Sequence, residues 1–336
     1  MQHLQVSVPA EHTDEVLGVL RDCPGLVSLA LLRGASQQPA GDVVLAELAR
    51  ESVDGVLGAL RKRAVDRFGS ISIIDVDTSI SAAAEEAERV APGEGDDAVI
   101  WEEVVRTADD RSRLSWTYFA FLAIATLIAS IAIVVDSAIL VIGAMVLGPE
   151  FGPIAALCVA AVHGRHTMAR RAVLSFVLGF GFAITITTVL ALAFRLLGWI
   201  EPGTLTAQRP ATGFITSPDK WSFIVAFIAG IAGVLALTSS KSGGLVGVFI
   251  SVTTVPAAGN LALAIALTDG GEIGRSLTQL SLNVAALLLA GMLTLLVQKL
   301  VWQHVPRARP PPETRVDHRK RGSFPPPRGR KPTKFR

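Results

Sequence analysis

Residues 115–162 read SWTYFAFLAIATLIASIAIVVDSAILVIGAMVLGPEFGPIAALCVAAV, a stretch with only two charges, Asp136 and Glu150. A helix needs roughly 20 apolar residues to cross ~30 Å of hydrocarbon. The stretch therefore holds two predicted spans, 115–135 and 137–162, with Asp136 alone at a tight hairpin between them. Working outward, segments 172–197, 221–238, 244–268 and 277–301 are likewise apolar and long enough to cross. The expected architecture of residues 114–301 is an all-α six-helix transmembrane bundle.

Composition agrees. Of 336 residues, 50% are hydrophobic and 18% charged, below the ~25% charged usual in globular proteins. Charges are ordinary in 1–113, nearly absent from 114–301, and mostly basic in the proline-rich 302–336, which a net charge of +2 conceals. Met1-Gln2-His3-Leu4-Gln5-Val6 lacks the basic start and long apolar core of a secretory signal, so the N-terminal part is expected to stay on the side where it is made. Cys23 and Cys158 lie in different regions and make no disulfide framework; Cys158, in an apolar run, reads as a packing residue. The Ala-, Gly- and Arg-rich usage suggests a high-GC bacterium, hence a multi-pass protein of the bacterial plasma (inner) membrane.

In residues 1–80, apolar periodicity predicts strand 4–8, helix 13–22 with Thr13 as cap, strands 26–32 and 43–48 about a polar turn 34–41, a helix capped by Ser52 that carries Val53, Val56, Leu57 and Leu60, and strand 71–76. That βαββαβ order is ferredoxin-like α+β. It has no glycine-rich phosphate loop, metal-ligand cluster or nucleophile–base pair, and His3 and His12 stand isolated. No catalytic residue, metal or cofactor is expected, and the chain is not read as an enzyme; His163 and His166 lie in a basic loop where solvation explains them. Residues 81–113 read as an acidic linker followed by an amphipathic helix with Ile100, Trp101, Val104 and Val105 on one side. That helix lies either on lipid headgroups or on the sandwich.

Basic residues set orientation. Arg111, Arg113, the 163–171 loop, Lys241 and the tail Arg and Lys residues share one side if both termini are cytoplasmic. Ile128-Ala129-Ser130-Ile131-Ala132 is echoed by Ile228-Ala229-Gly230-Ile231-Ala232. Gly143 is echoed by Gly247, Pro153 by Pro256 and Arg171 by Arg275. Two three-span units, 115–197 and 221–301, are predicted. An odd span number makes them inverted repeats, as in secondary transporters.

Spans two and five are expected to be broken. Gly148-Pro149-Glu150-Phe151-Gly152-Pro153 cannot continue a helix. Thr253, Thr254, Pro256 and Gly259 weaken span five correspondingly. Freed backbone at membrane depth needs protein or a water-filled cavity as partner, and an intramembrane carboxylate marks function by default. The candidate substrate or ion site is therefore Gly148, Pro149, Glu150, Gly152, Pro153, Thr253, Thr254, Pro256 and Asn260, with Asn283 a mid-span polar residue that lines it or joins helices. The competing reading is close helix packing around a kink.

The run from Trp101, Glu103 and Arg111 through Ile128-Ala129, Gly143-Ala144-Met145 and Gly148-Pro149-Glu150-Phe151-Gly152-Pro153 resembles the bacterial domain-of-unknown-function 389 family over about residues 100–300. The resemblance implies a hydrophobic membrane protein, commonly with a small N-terminal domain, and supplies no substrate or assigned site. Glu150 departs from the apolar residue that usually follows the first proline there.

Residues 302–336 are expected to be a disordered basic tail, touching anionic lipids at ~1 kcal/mol per basic residue or simply fixing topology. Aromatic residues are too scarce there to favour nucleic acid. The leading expectation is a transporter or channel-like protein for a small solute or ion, with a homo-oligomer compatible. The alternative is a non-transporting sensor or scaffold whose N-terminal domain binds a ligand or partner.

Overall fold

The computed structural model describes residues 1–76, 79, 81–91, 98–201, 203–205, 209–216, 219–239 and 254–304. The N-terminal unit runs β1 (Gln2–Val8), α1 (Thr13–Arg21), β2 (Leu26–Gln37), β3 (Ala40–Leu48), α2 (Arg50–Lys62), α3 (Val65–Phe68) and β4 (Ser70–Asp75). The sheet order is β2-β3-β1-β4 with every neighbouring pair antiparallel, the βαββαβ succession read from the sequence. Alternation along β1 and β3 turns Leu4, Val6, Val44, Ala46 and Leu48 onto Val16, Leu20, Val53, Leu57 and Leu60 of the helices. Each large side chain fully buried there contributes about 1.5–3 kcal/mol.

Three local expectations are corrected. The 34–41 turn shrinks to Gln38-Pro39, because β2 and β3 continue as a two-stranded ribbon. Its base is tied where Asp42 accepts the Gly34 N–H and the Thr13 hydroxyl, both at 2.8 Å. Thr13 is thereby spent on Asp42, and His12 occupies the cap position of α1. Helix α2 starts at Arg50 with Ala49 as its cap residue, while Ser52 sits where a β-carbon on Gly25 would be.

The predicted linker contains a helix, α4 (Ala82–Val90), capped by the Ser81 hydroxyl, which accepts from Ala84 N at 3.0 Å. Residues 92–97 lie outside the described residues. Helix α5 (Trp101–Arg111) then touches both neighbours. On the sandwich side Ile100 joins the core. Arg50 Nε donates to Ala98 O at 3.2 Å, Asp54 accepts the Trp101 N–H at 3.2 Å, and Arg61 pairs with Glu102 at 2.7 Å. On the other side Val104, Val105 and Ala108 pack with Ile154 and Val159 of the helical region.

That region comprises α6 (Trp116–Val134), α7 (Ala138–Leu147), α8 (Phe151–His163), α9 (His166–Leu196), α10 (Lys220–Thr238), α11 (Thr254–Leu267) and α12 (Gly270–His304). Among the described residues four helices, α6, α9, α10 and α12, are long and apolar enough to cross a membrane. The α7/α8 pair makes a fifth if counted as one span bent by 54°. The sixth predicted span, 244–268, is described only from Thr254, as the short apolar α11. Exposed Phe121, Ile124, Val177, Val189, Ile228, Leu289 and Leu293 give these helices an outward apolar surface that suits lipid rather than water. The hairpin expected at Asp136 is present. The residue has a left-handed backbone (φ 49°), and its carboxylate accepts the Thr212 N–H at 2.9 Å and the Thr212 hydroxyl at 2.7 Å.

Candidate functional site

Helix α7 stops at Leu147 because Pro149 has no N–H and holds Gly148 in extended backbone (φ −69°, ψ 120°). Glu150 stands at the N-cap position of α8 with no capping bond from its side chain, and Pro153 lies in the first turn, where a missing donor costs nothing. At Gly152 a β-carbon would run into the carbonyl oxygen of Arg111, so glycine lets α8 come against the end of α5. Helix α11 is described from Thr254, with Pro256 two residues on and both buried. Gly259 lets α11 close on α6, since a β-carbon there would lie 2.9 Å from Ala129 Cβ and 3.0 Å from Ser130 N.

The two helix starts meet. The Thr254 hydroxyl donates to Glu150 Oε1 at 2.8 Å, and Glu150 is only 1% exposed. Tyr118 of α6, within electrostatic reach of that carboxylate, donates to Ser175 O at 3.2 Å over the space left by Gly179. The contact between the two groups is thus Glu150–Thr254, with Gly148, Pro149, Gly152 and Pro153 beside Glu150 in the chain and Pro256 beside Thr254. Thr253 lies outside the described residues.

Asn260 does not join them. Six residues along α11, about 9 Å at 1.5 Å per residue, its amide nitrogen donates to Ser276 Oγ at 2.8 Å and Glu272 Oε2 at 3.1 Å. Its amide oxygen accepts from Arg209 Nη1 at 3.1 Å. Arg209 and Glu272, 8% and 6% exposed, pair at 3.7 Å, and Arg275 reaches Glu272 at 3.1 Å. Asn283 accepts from Gln279 at 3.3 Å within α12. Among the described residues no three His, Cys, Asp or Glu side chains are grouped to hold a metal.

Residues 145–289 match the sequence profile of a family described as domain of unknown function (DUF389). Over those residues the chain is similar to that family. An uncharacterised protein of Methanocaldococcus jannaschii is 28% identical over 172 residues, 51% of this chain. The chain spans about half the length of that curated relative, 50% of which is covered. No solved structure matches the chain. The DUF389 segment starts at Met145, just ahead of the α7/α8 break, and ends inside α12, so it contains the junction and the Asn260 cluster together.

Sequence reasoning missed Arg209, Glu272 and Ser276. Arg209 reads as one charge in a long polar connection, and nothing local says that the connection folds back among helices. The available signal was a charge imbalance. Asp269 and Glu272 stand at the start of the α12 segment beside a single cation, Arg275, which points to a second cation from elsewhere in the chain.

Proposed function

We propose that the chain is a transporter or channel-like membrane protein, moving a small solute or ion past the point where α8 and α11 begin. The observation that carries the proposal is the buried Glu150 carboxylate, at the start of one half-helix, bonded to Thr254 at the start of another. A buried charge is costly unless used or paired. Two broken helices with facing starts are the arrangement from which transporters build sites. No catalytic step, metal or cofactor enters the proposal.

The inverted-repeat reading belongs with it, and spacing supports it. Helices α6 and α10 both have 19 residues and begin at 116 and 220, 104 positions apart. Helices α9 and α12 begin at 166 and 270, again 104 apart. Glu150 and Thr254 are 104 apart and bonded to each other, as residues beside a two-fold axis would be. Helix α5, 101–111, packs on α8, while the connection holding Leu205 and Ile215 packs on Leu263, Ala264 and Ala266 of α11. Gly143/Gly247 and Arg171/Arg275 share the 104 register, whereas the Ile128/Ile228 echo is four residues out, about one helical turn.

Both termini are proposed to be cytoplasmic in a bacterial plasma membrane, with the 302–336 tail near anionic lipids; self-association is compatible. The sensor or scaffold reading is favoured by one observation, the α5 bridge from sandwich to α8.

The test is flux of protons, sodium, potassium and chloride in proteoliposomes holding the full chain. Flux of at least one of these is expected, abolished in Glu150→Gln and reduced in Thr254→Val. Equal flux in both variants, or none in any preparation, would remove the site.

A further inference from the structure

We infer that Arg195 and Lys299 are a matched pair of gate braces, one for each face of the membrane domain. The inference rests on the two-unit reading above and concerns how its site is closed.

Near the end of α9, Arg195 Nη1 donates to the carbonyl of Ala266, close to the end of α11, at 2.8 Å. Near the end of α12, Lys299 Nζ donates to the carbonyl of Val162, close to the end of α8, at 3.3 Å. The cations at 195 and 299 are 104 positions apart, and so are the carbonyls at 162 and 266. Each contact therefore crosses between units, and the two correspond if the units exchange. The units also touch nearer the middle of these helices, Thr188 Oγ1 donating to Ala262 O at 3.3 Å and Cys158 Sγ to Leu288 O at 3.7 Å, but there donor and acceptor are exchanged and the two contacts do not correspond.

The last carbonyls of a helix lack partners within it and carry the negative end of its dipole, so a cation there is favourable. Here each cation arrives from the long helix of the opposite unit. Each half-helix is consequently held at both ends, its start at the Glu150–Thr254 junction and its finish by the other unit's cation. In this inference a path from the junction to the face where α9 ends runs along α11, and one to the face carrying Gly164 and Arg165 runs along α8. Freeing one finish lets that half-helix swing without disturbing the other. Both braces are formed in this structure.

The test uses the full chain with Cys23 and Cys158 replaced, Thr254→Cys as reporter, and a membrane-impermeant methanethiosulfonate applied to sealed vesicles of each orientation. Arg195→Gln is expected to speed labelling only from the face where α9 ends, and Lys299→Gln only from the opposite face. The increase should be roughly tenfold or more, the effect expected when a hydrogen bond to a charged group is lost. Arg195→Lys and Lys299→Arg should stay near the parent rate. The Gln variants are read separately, so one that failed to assemble would leave the other to decide. No change in labelling, or a rise from both faces or from the wrong one, overturns the braces. That result with Glu150-dependent flux intact discards the braces alone, whereas sided labelling without such flux discards the transport site alone.

Discussion

Gly152 has no room for a side chain, because the Arg111 carbonyl stands where its β-carbon would go. Backbone cannot step aside as a flexible side-chain tip can. Gly152→Ala should therefore push α8 off α5 at a cost of about 1–3 kcal/mol, read as a lower melting temperature of the detergent-solubilised chain. Gly143, where an added β-carbon would meet nothing within 4 Å, is the control that should change little when replaced by Ala. At Asp42 the effect is electrostatic. The backbone N–H of Gly34, then the Thr13 hydroxyl, hold its carboxyl below the usual carboxylate range. A depressed folded-state value means the ion is favoured in the folded form. Its contribution is thus complete above the unfolded pKa of about 3.9 and fades as pH falls through the lower folded value. Asp42→Asn should make amide exchange in β2 and β3 faster at neutral pH and less sensitive to acid below pH 4. An unaltered acid profile would contradict this.

Among elements, α5 has a consequence of its own, since its apolar side faces α8 while its first residues are held by the sandwich. Removing methyl groups there with Val104→Ala and Val105→Ala should loosen 101–111 and 151–163 together, each substitution costing about 1 kcal/mol or more. Hydrogen exchange should rise in both segments and stay unchanged in β1 and β3. A rise confined to α5 would mean that the bridge does not reach α8. The same helix marks where sequence reading ends. Its 3.6-residue apolar period reveals a buried side but not which neighbour covers it, so headgroups and sandwich are equal expectations from sequence and α8 is not among them. The break at Gly148–Pro153 is legible because proline's effect is local and covalent. Helix caps are less so. Thr13 and Ser52 have the right side chains, but Asp42 and Gly25, distant in sequence, determine where they sit. Arg209 is illegible for the same reason, as its partners come from α11 and α12.

For the whole molecule, the deciding contact is the one where α8 and α11 meet, between Glu150 and Thr254. Proximity there can be measured without knowing what is transported. In membranes containing the chain with Cys23 and Cys158 replaced, the paired substitutions Glu150→Cys and Thr254→Cys should be joined within one chain by mild oxidation or the shortest bifunctional methanethiosulfonate. The pair Glu150→Cys and Asn260→Cys should not be joined. Efficient bridging of the first pair alone is the predicted result. Bridging of the second pair alone, or of neither, would contradict the account.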